Sequence, residues 1–591
     1  MNIALPLVVT LACFFLAYRY YGSFIAKVMG LDPGRLPPSI TKKDDVDYVP
    51  TNLSVVFSHH FASIAGGGPI LGPTLALIYG FQLPFLWILL GCIFFGAVHD
   101  FVALFISVRE GGRSMAEVAR RSLGNSGFFL FIAFTVICLV MVIVSFLGAT
   151  VAALTSKYPL ALMGLPPDQT ILKTVVENGV VKGKIGGIAS TSVFIITGLA
   201  PLIGYLLYVR KIRSWIMALV AVAVCFFSVY IGLRFPVMVD PKIWRVVLCV
   251  YVLVAAGIPV WIILQPRDFT NSFILYIGIA LMTVSVLIGG ITHLGSEGTT
   301  AVEAFRISAP AFNLAEGMSK LGMVWPILFI TIACGAISGF HSLVAGGTSS
   351  KQLCNERDIK TIGFGGMLLE GLLAAAVLSI VAFGIDFATY KSIVFPSVKG
   401  LASNPILAFA LALGAVMDAA IGIPRVYGTV FGILLVEGFV VTTLDTAVRL
   451  CRYLLEELWA IVFKTVPAIC RSYLFNAGLI VVVCYLLAMT NSIDKVWPIF
   501  GSANQLIAAF VLVIAGVWLA GQGKRNWFVT VPAVFMLITT ITSLAYLLVV
   551  KYWKARIIPL VIADVVLLAL SIGFVVIAAK RLARKPSPRV A

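Results

Sequence analysis

The sequence predicts an all-α polytopic membrane protein, and three observations carry that prediction. Of 591 residues, 60% are hydrophobic and only 12% are charged, against ~25% charged in soluble domains. The mean hydropathy is +1.05, more apolar surface than a water-soluble exterior can hide. Apolar runs near ~20 residues, one helical crossing of a bilayer, recur along the chain, whereas the ~10-residue alternating segments of a β-barrel do not. A soluble enzyme, a disordered chain and a collagen-like fibre are excluded.

The first run, 3–22, follows Met1-Asn2 without a basic segment, and Tyr18-Arg19-Tyr20-Tyr21 stands where a cleavage site would be. It reads as a retained helix and not a signal peptide. Further runs lie near 52–80, 84–108, 127–154, 190–209, 215–232, 245–264, 272–290, 324–346, 363–387, 404–421, 425–447, 470–490, 497–521, 527–549 and 558–579. The expectation is about 15–18 transmembrane segments. Three units are expected: 1–50 as an extra N-terminal transmembrane helix and cytoplasmic loop, 51–421 as an inverted-repeat core, and 422–591 as a C-terminal helical extension.

The net charge of +18 would suggest nucleic acid in a soluble chain, but no polar domain exists to carry such a patch. The cations sit in short loops facing lipid headgroups and water. Arg35, Lys42 and Lys43, the loop 109–126, the cluster Arg210, Lys211 and Arg213, and the loop 351–360 all fall on one side if the runs alternate. That side is expected to be cytoplasmic, with the N-terminus outside. The parity then fails. Sixteen crossings would put Arg449, Arg452, Lys464, Arg471 and the basic tail Lys580–Lys585 outside. The expected repair is a re-entrant run near 404–447, with 448–469 as an amphipathic helix on the cytoplasmic surface. The ten cysteines lie nearly all inside apolar runs with no CxxC pair. They read as small apolar residues, without a disulfide framework or metal cluster.

The most informative stretch is Phe57–Pro73, FSHHFASIAGGGPILGP, which interrupts an apolar run near its middle. Gly66, Gly67 and Gly68 remove side-chain restraint and Pro69 cannot donate its N–H. Backbone groups freed at membrane depth must line a protein cavity, and transporters use such breaks as substrate and ion sites. A tightly packed glycine kink is the bland alternative. A counterpart is expected at Val254–Pro259, with Gly257 and Pro259 before Gln265-Pro266-Arg267-Asp268. With five runs per repeat, the layout resembles the leucine-transporter architecture, in which two helices are broken and two repeats have opposite topology.

Ionisable groups inside the membrane are functional hypotheses. His59 and His60 precede the break. Consecutive helix positions point about 100° apart, so at most one faces a given cavity squarely. Each is either a proton carrier or ligand, or a histidine bonded to a neighbouring helix. Ser338, His341 and Ser342 stand at i, i+3 and i+4, one face of one helix. That stripe is expected to face the broken helix, although membrane serines often bond their own helix. Asp100 precedes Arg109 and reads as a gate pair or a solvated helix end. Asp445 reads as an i, i+4 pair with Arg449. No zinc pattern or phosphate-binding loop occurs, so no cofactor is expected beyond a coupling ion.

Ser58–Pro73 (SHHFASIAGGGPILGP), Gln265–Phe269 (QPRDF), Cys334–Asn355, Gly363–Gly371 (GFGGMLLEG), Thr442–Arg452 and Trp497–Leu506 (WPIFGSANQL) resemble the carbon starvation protein A family. The resemblance implies a multi-pass protein of the bacterial-type plasma membrane, induced when carbon is scarce. It implies import of peptides or of pyruvate-like small carboxylates by a secondary carrier coupled to H+ or Na+. The alternatives are a membrane nutrient sensor and a channel. On this reading, His60, Ala65–Pro69, Gly257, Pro259 and His341 flank the substrate. A proton is carried by His59 or His60, or sodium sits between the Ile64–Gly66 carbonyls and Ser338 and Ser342, with His341 on the same wall. Substrate and oligomeric state are not readable.

Overall fold

The computed structural model describes residues 1–44, 48–163, 165–177, 179–259, 261–293, 305–397, 403–490 and 493–583. Part of the polar stretch between the runs 272–290 and 324–346, and tail residues Arg584 and Lys585, lie outside them. The chain is a multi-pass helical membrane protein. Among the described residues, eleven helices are long and apolar enough to cross a membrane, with one further span bent at a break, Leu53–Ile64 and Gly68–Tyr79. Each apolar run of the sequence contains helix, and the runs 52–80, 245–264 and 324–346 are interrupted within their length. Three runs form short helices, at Pro241–Gly257, Pro405–Ile421 and Tyr473–Thr490.

The parity problem has a simple origin. Residues 425–462 form one helix of 38 residues, Arg425–Val462, about 57 Å long at 1.5 Å per residue. No proline or glycine stands between Gly438 and Pro467, so nothing stops the helix where the apolar run ends. The amphipathic surface helix expected at 448–469 is therefore not separate. Residues 448–462 extend the crossing beyond the hydrocarbon, and only Ala468–Arg471 forms a short turn of its own. The re-entrant run is also not found as such, since Pro405–Ile421 and Arg425–Val462 form a tight antiparallel pair closed by Gly422 in the left-handed conformation.

The order of elements repeats. The broken span is followed by Gln82–Arg109, by the short helix Met115–Leu123 capped by Ser114, and by Asn125–Leu154. Later, the run 324–347 is broken between Phe329–Thr331 and Phe340–Gly347. It is followed by Lys360–Gly384, by the short helix Phe387–Val394 capped by Asp386, and by Pro405–Ile421. The second repeat thus begins at 324 and not near 254. The polar segment 155–189 carries a three-stranded antiparallel sheet, Tyr158–Pro159, Thr174–Glu177 and Val180–Gly183, with the last strand in the middle. Hydrogen bonds from Lys157 and Lys182 hold the Glu177 carboxyl below its usual range.

Candidate functional site

Asn52 caps the first half of the broken span, accepting from Ser54 N–H at 3.3 Å. The helix ends where Ala65 takes ψ 45°. Residues 65–67 are bent backbone, and a second half-helix starts at Gly68 with Pro69 in its first turn, where the missing N–H costs nothing. The halves meet at 40°. Gly67 and Gly68 N–H groups have no acceptor among the described residues. They form the positive end of the second half-helix.

Facing this break is another. Residues 332–339 are unwound, and a Cβ on Gly68 would overlap Cys334 Sγ and lie 2.6 Å from its Cβ. The freed groups here are satisfied by the helix Ile493–Ala520. Asn504 accepts from Phe340 N–H at 2.9 Å through its side chain and from Gly339 N–H at 3.0 Å through its carbonyl. Gln505 donates to the Phe329 carbonyl at 2.9 Å, and Trp497 to the Thr331 carbonyl at 3.4 Å. The expected single-helix stripe is therefore corrected: Ser338 lies in the unwound segment. Asn504 donates to Ser338 Oγ at 2.9 Å, and Ser342 Oγ donates to the Gly339 carbonyl at 2.6 Å.

Two buried charge networks flank the first half-helix. In one, His60 Nδ1 meets Ser349 Oγ at 2.8 Å. Beside it, Asp100 receives Nδ1 of His99 and of His341, both at 2.7 Å. His341 Nε2 lies 3.2 Å from Glu370 Oε2. That contact is at ion-pair distance without hydrogen-bond alignment, and both Glu370 oxygens lack a hydrogen bond. All six side chains are buried. Asp100 is thus neither a solvated helix end nor the partner of Arg109. It lies inside the helix Ala97–Arg109, and Arg109 pairs with Glu356 at 2.6 Å.

In the other network, His59 Nδ1 meets Asp268 Oδ2 at 3.0 Å. Arg267 reaches Asp268 at 3.2 Å and Asp445 at 2.6 Å, and Tyr251 donates to Asp445 at 2.7 Å while accepting from Arg267. Arg267 also donates to Thr442 at 3.2 Å, next to Thr443, whose Oγ1 packs against Gly66. The expected Asp445–Arg449 pair is corrected. Asp445 takes Arg267, and Arg449 donates to the Ala255 and Ile258 carbonyls. Arg449 so caps the end of the helix Pro241–Gly257, where a desolvated guanidinium offsets the carbonyl dipoles. Gly257 and Pro259 are exposed, and Gly257 packs against Tyr473. The backbone at Gly66–Gly68 instead meets Phe146, Val440, Thr443 and Cys334.

The structure therefore gathers His59, His60, Ile64–Pro69, His341 and Asp100 around one half-helix and leaves Gly257 and Pro259 aside. Sequence reasoning assigned no role to Asn504, Gln505, Ser349, Tyr251 or Arg267. The motifs QPRDF and WPIFGSANQL were the available signal for Arg267, Asn504 and Gln505.

A family described as carbon starvation protein CstA matches residues 2–400 and 386–543. The peptide transporter CstA of Campylobacter jejuni is 31% identical over 91% of this chain and 79% of its own length. The pyruvate/proton symporter BtsT of Escherichia coli is 30% identical, covering 91% and 80%. The peptide transporter CstA of Bacillus subtilis is 30% identical, covering 94% and 91%. A manganese transporter structure from Eremococcus coleocola superposes with a TM-score of 0.46 at 10% identity over 92% of this chain and 98% of its own, too weak a likeness to carry an argument. With family similarity across most of its length and in the motifs that build both breaks, this chain belongs to the carbon starvation protein CstA family.

Proposed function

We propose that this multi-pass membrane transporter is a secondary active carrier that imports a small carboxylate or a peptide together with a proton, by alternating access about the two facing breaks. The observation that carries the reading is the buried imidazole of His341, set between Asp100 and Glu370. Asp100 fixes the Nδ1 proton, so Nε2 and Glu370 are left to share one more proton across 3.2 Å. The Gly67 and Gly68 N–H groups, unpaired among the described residues, add positive potential at the first break. The names of the relatives, peptide transporter and pyruvate/proton symporter, agree in class.

The sodium reading is less well supported: Ser338 Oγ already accepts from Asn504, and Ser342 Oγ bonds the Gly339 carbonyl three residues back, as membrane serines often do. Uptake of labelled pyruvate and of dialanine into proteoliposomes, with pH and sodium gradients imposed separately, tests the proposal. Accumulation is expected to follow the proton gradient, to collapse with a protonophore and to be equal in choline and sodium. Sodium-dependent accumulation would replace the proton by sodium. Uptake that never exceeds equilibrium would point to a channel, and no uptake to a sensor.

A further inference from the structure

The first network contains the groups expected of a proton site, but the second contains a feature such a site does not need: a buried guanidinium. Arg267 is buried and spreads its donors over Asp268, Asp445, Tyr251 and Thr442. Its Nε and Asp445 Oδ1 have no hydrogen-bond partner. A guanidinium is the side chain whose fork matches a carboxylate in two parallel bonds, and Asp445 occupies one arm of that fork. Gln265, on the same helix but about 200° round it from Arg267, lines a cavity of about 570 Å³ with Lys43, Lys211, Tyr208, Trp261 and Gln352, and Arg267 itself is not part of that wall. The cavity's size suits a small-molecule site. The buried Tyr208 hydroxyl, on the cavity wall, has no partner. The cavity mouth is basic and lies among the loops whose charge marks the expected cytoplasmic side.

Resting on the transport reading above, we propose that Arg267 is the anchor for the substrate's carboxylate and that Asp445 is an internal stand-in for that carboxylate. Asp445 holds the guanidinium when the site is empty and yields it when substrate arrives. The ligand class is a small monocarboxylate, whether a 2-oxo acid or the C-terminus of a short peptide. Exchange of one carboxylate for another keeps the buried cation paired throughout, so the site never pays the desolvation of a lone charge. The charged and titratable groups around Asp445 are Arg267 and Asp268, Tyr251 from Pro241–Gly257, His59 beyond Asp268, and Glu437 and Arg449 on its own helix.

The test is binding to the purified full chain, by isothermal titration with pyruvate, dialanine and their uncharged amides. Wild type is expected to bind at least one of the acids and neither amide. R267K keeps the charge but loses the fork, and its Kd is expected to rise by about tenfold. D445N removes the competitor, and its Kd is expected to fall below that of wild type, a gain that misfolding cannot imitate. An unchanged Kd in either variant, an amide that binds like the acid, or no binding of either acid to wild type would overturn the proposal. The outcome is separable from the transport reading. The two Kd shifts without uphill uptake would sink symport and leave Arg267 as the anchor. Uphill uptake with an unaltered R267K affinity would do the reverse.

Discussion

His341 is the residue on which the most charge converges. It touches Asp100 through Nδ1 and faces Glu370 through Nε2, with no exposure to solvent. Removing it leaves two buried carboxylates without the group between them. His341→Ala is expected to destabilise the protein by about 3–5 kcal/mol, read as a fall in Tm in detergent. Adding Glu370→Gln removes one of the two carboxylates and should recover part of that fall. A double variant no more stable than His341→Ala would show that the carboxylates do not act on one another. The histidines themselves stood out in the sequence as ionisable groups in apolar runs. Their partners did not, because Asp100 lies 241 residues from His341 and Asp268 209 residues from His59. One chain without relatives cannot report such distances. The Asp445–Arg449 spacing looked like a pair for a local reason, and a longer-range partner, Arg267, won.

At the scale of elements, the two breaks differ in how they announce themselves. Gly66-Gly67-Gly68-Pro69 breaks a helix by its own chemistry, and it was legible. Cys334–Gly339 contains no proline and reads as a small-residue helix face. It unwinds because Asn504, Gln505 and Trp497, more than 150 residues away, supply the hydrogen bonds that the helix would otherwise make. The Gly257–Pro259 break was legible, but its partner is Arg449 and not the first break. Close packing of the two breaks gives a direct test. Gly68→Ala sets a methyl against Cys334 and is expected to cost about 1–3 kcal/mol by overpacking, with loss of uptake. Cys334→Gly in the same chain removes both atoms in the way and should restore stability and uptake. Failure of that rescue would mean the alanine acts through the backbone at Gly68 and not through contact with Cys334.

At the scale of the molecule, composition gave the class and the helices, while topology needed lengths that hydropathy does not measure. The helix Arg425–Val462 runs 15 residues past the end of the apolar run at 447. Sidedness remains testable with a native probe. Cys354 is the one exposed cysteine among the described residues, and it lies in the basic loop 351–360. A membrane-impermeant maleimide is expected to label intact cells poorly and opened cells well. Burial holds the Cys354 thiol above its ordinary pKa, so thiolate is scarcer at neutral pH and labelling should speed up as the pH rises. Equal labelling of intact and opened cells would reverse the assigned sidedness.

The neighbouring pair His59 and His60 has a mechanical consequence. Both ride on one rigid segment of 12 residues, Leu53–Ile64, yet one is tied to Asp268 and the other to Ser349. A tilt of that segment strains both ties at once, and slackening only one leaves the other holding. The half-helix is then a bolt held by two locks on different faces. If the proposed carrier moves by tilting this segment, both locks must open together, which is how one passenger would be kept from moving without the other.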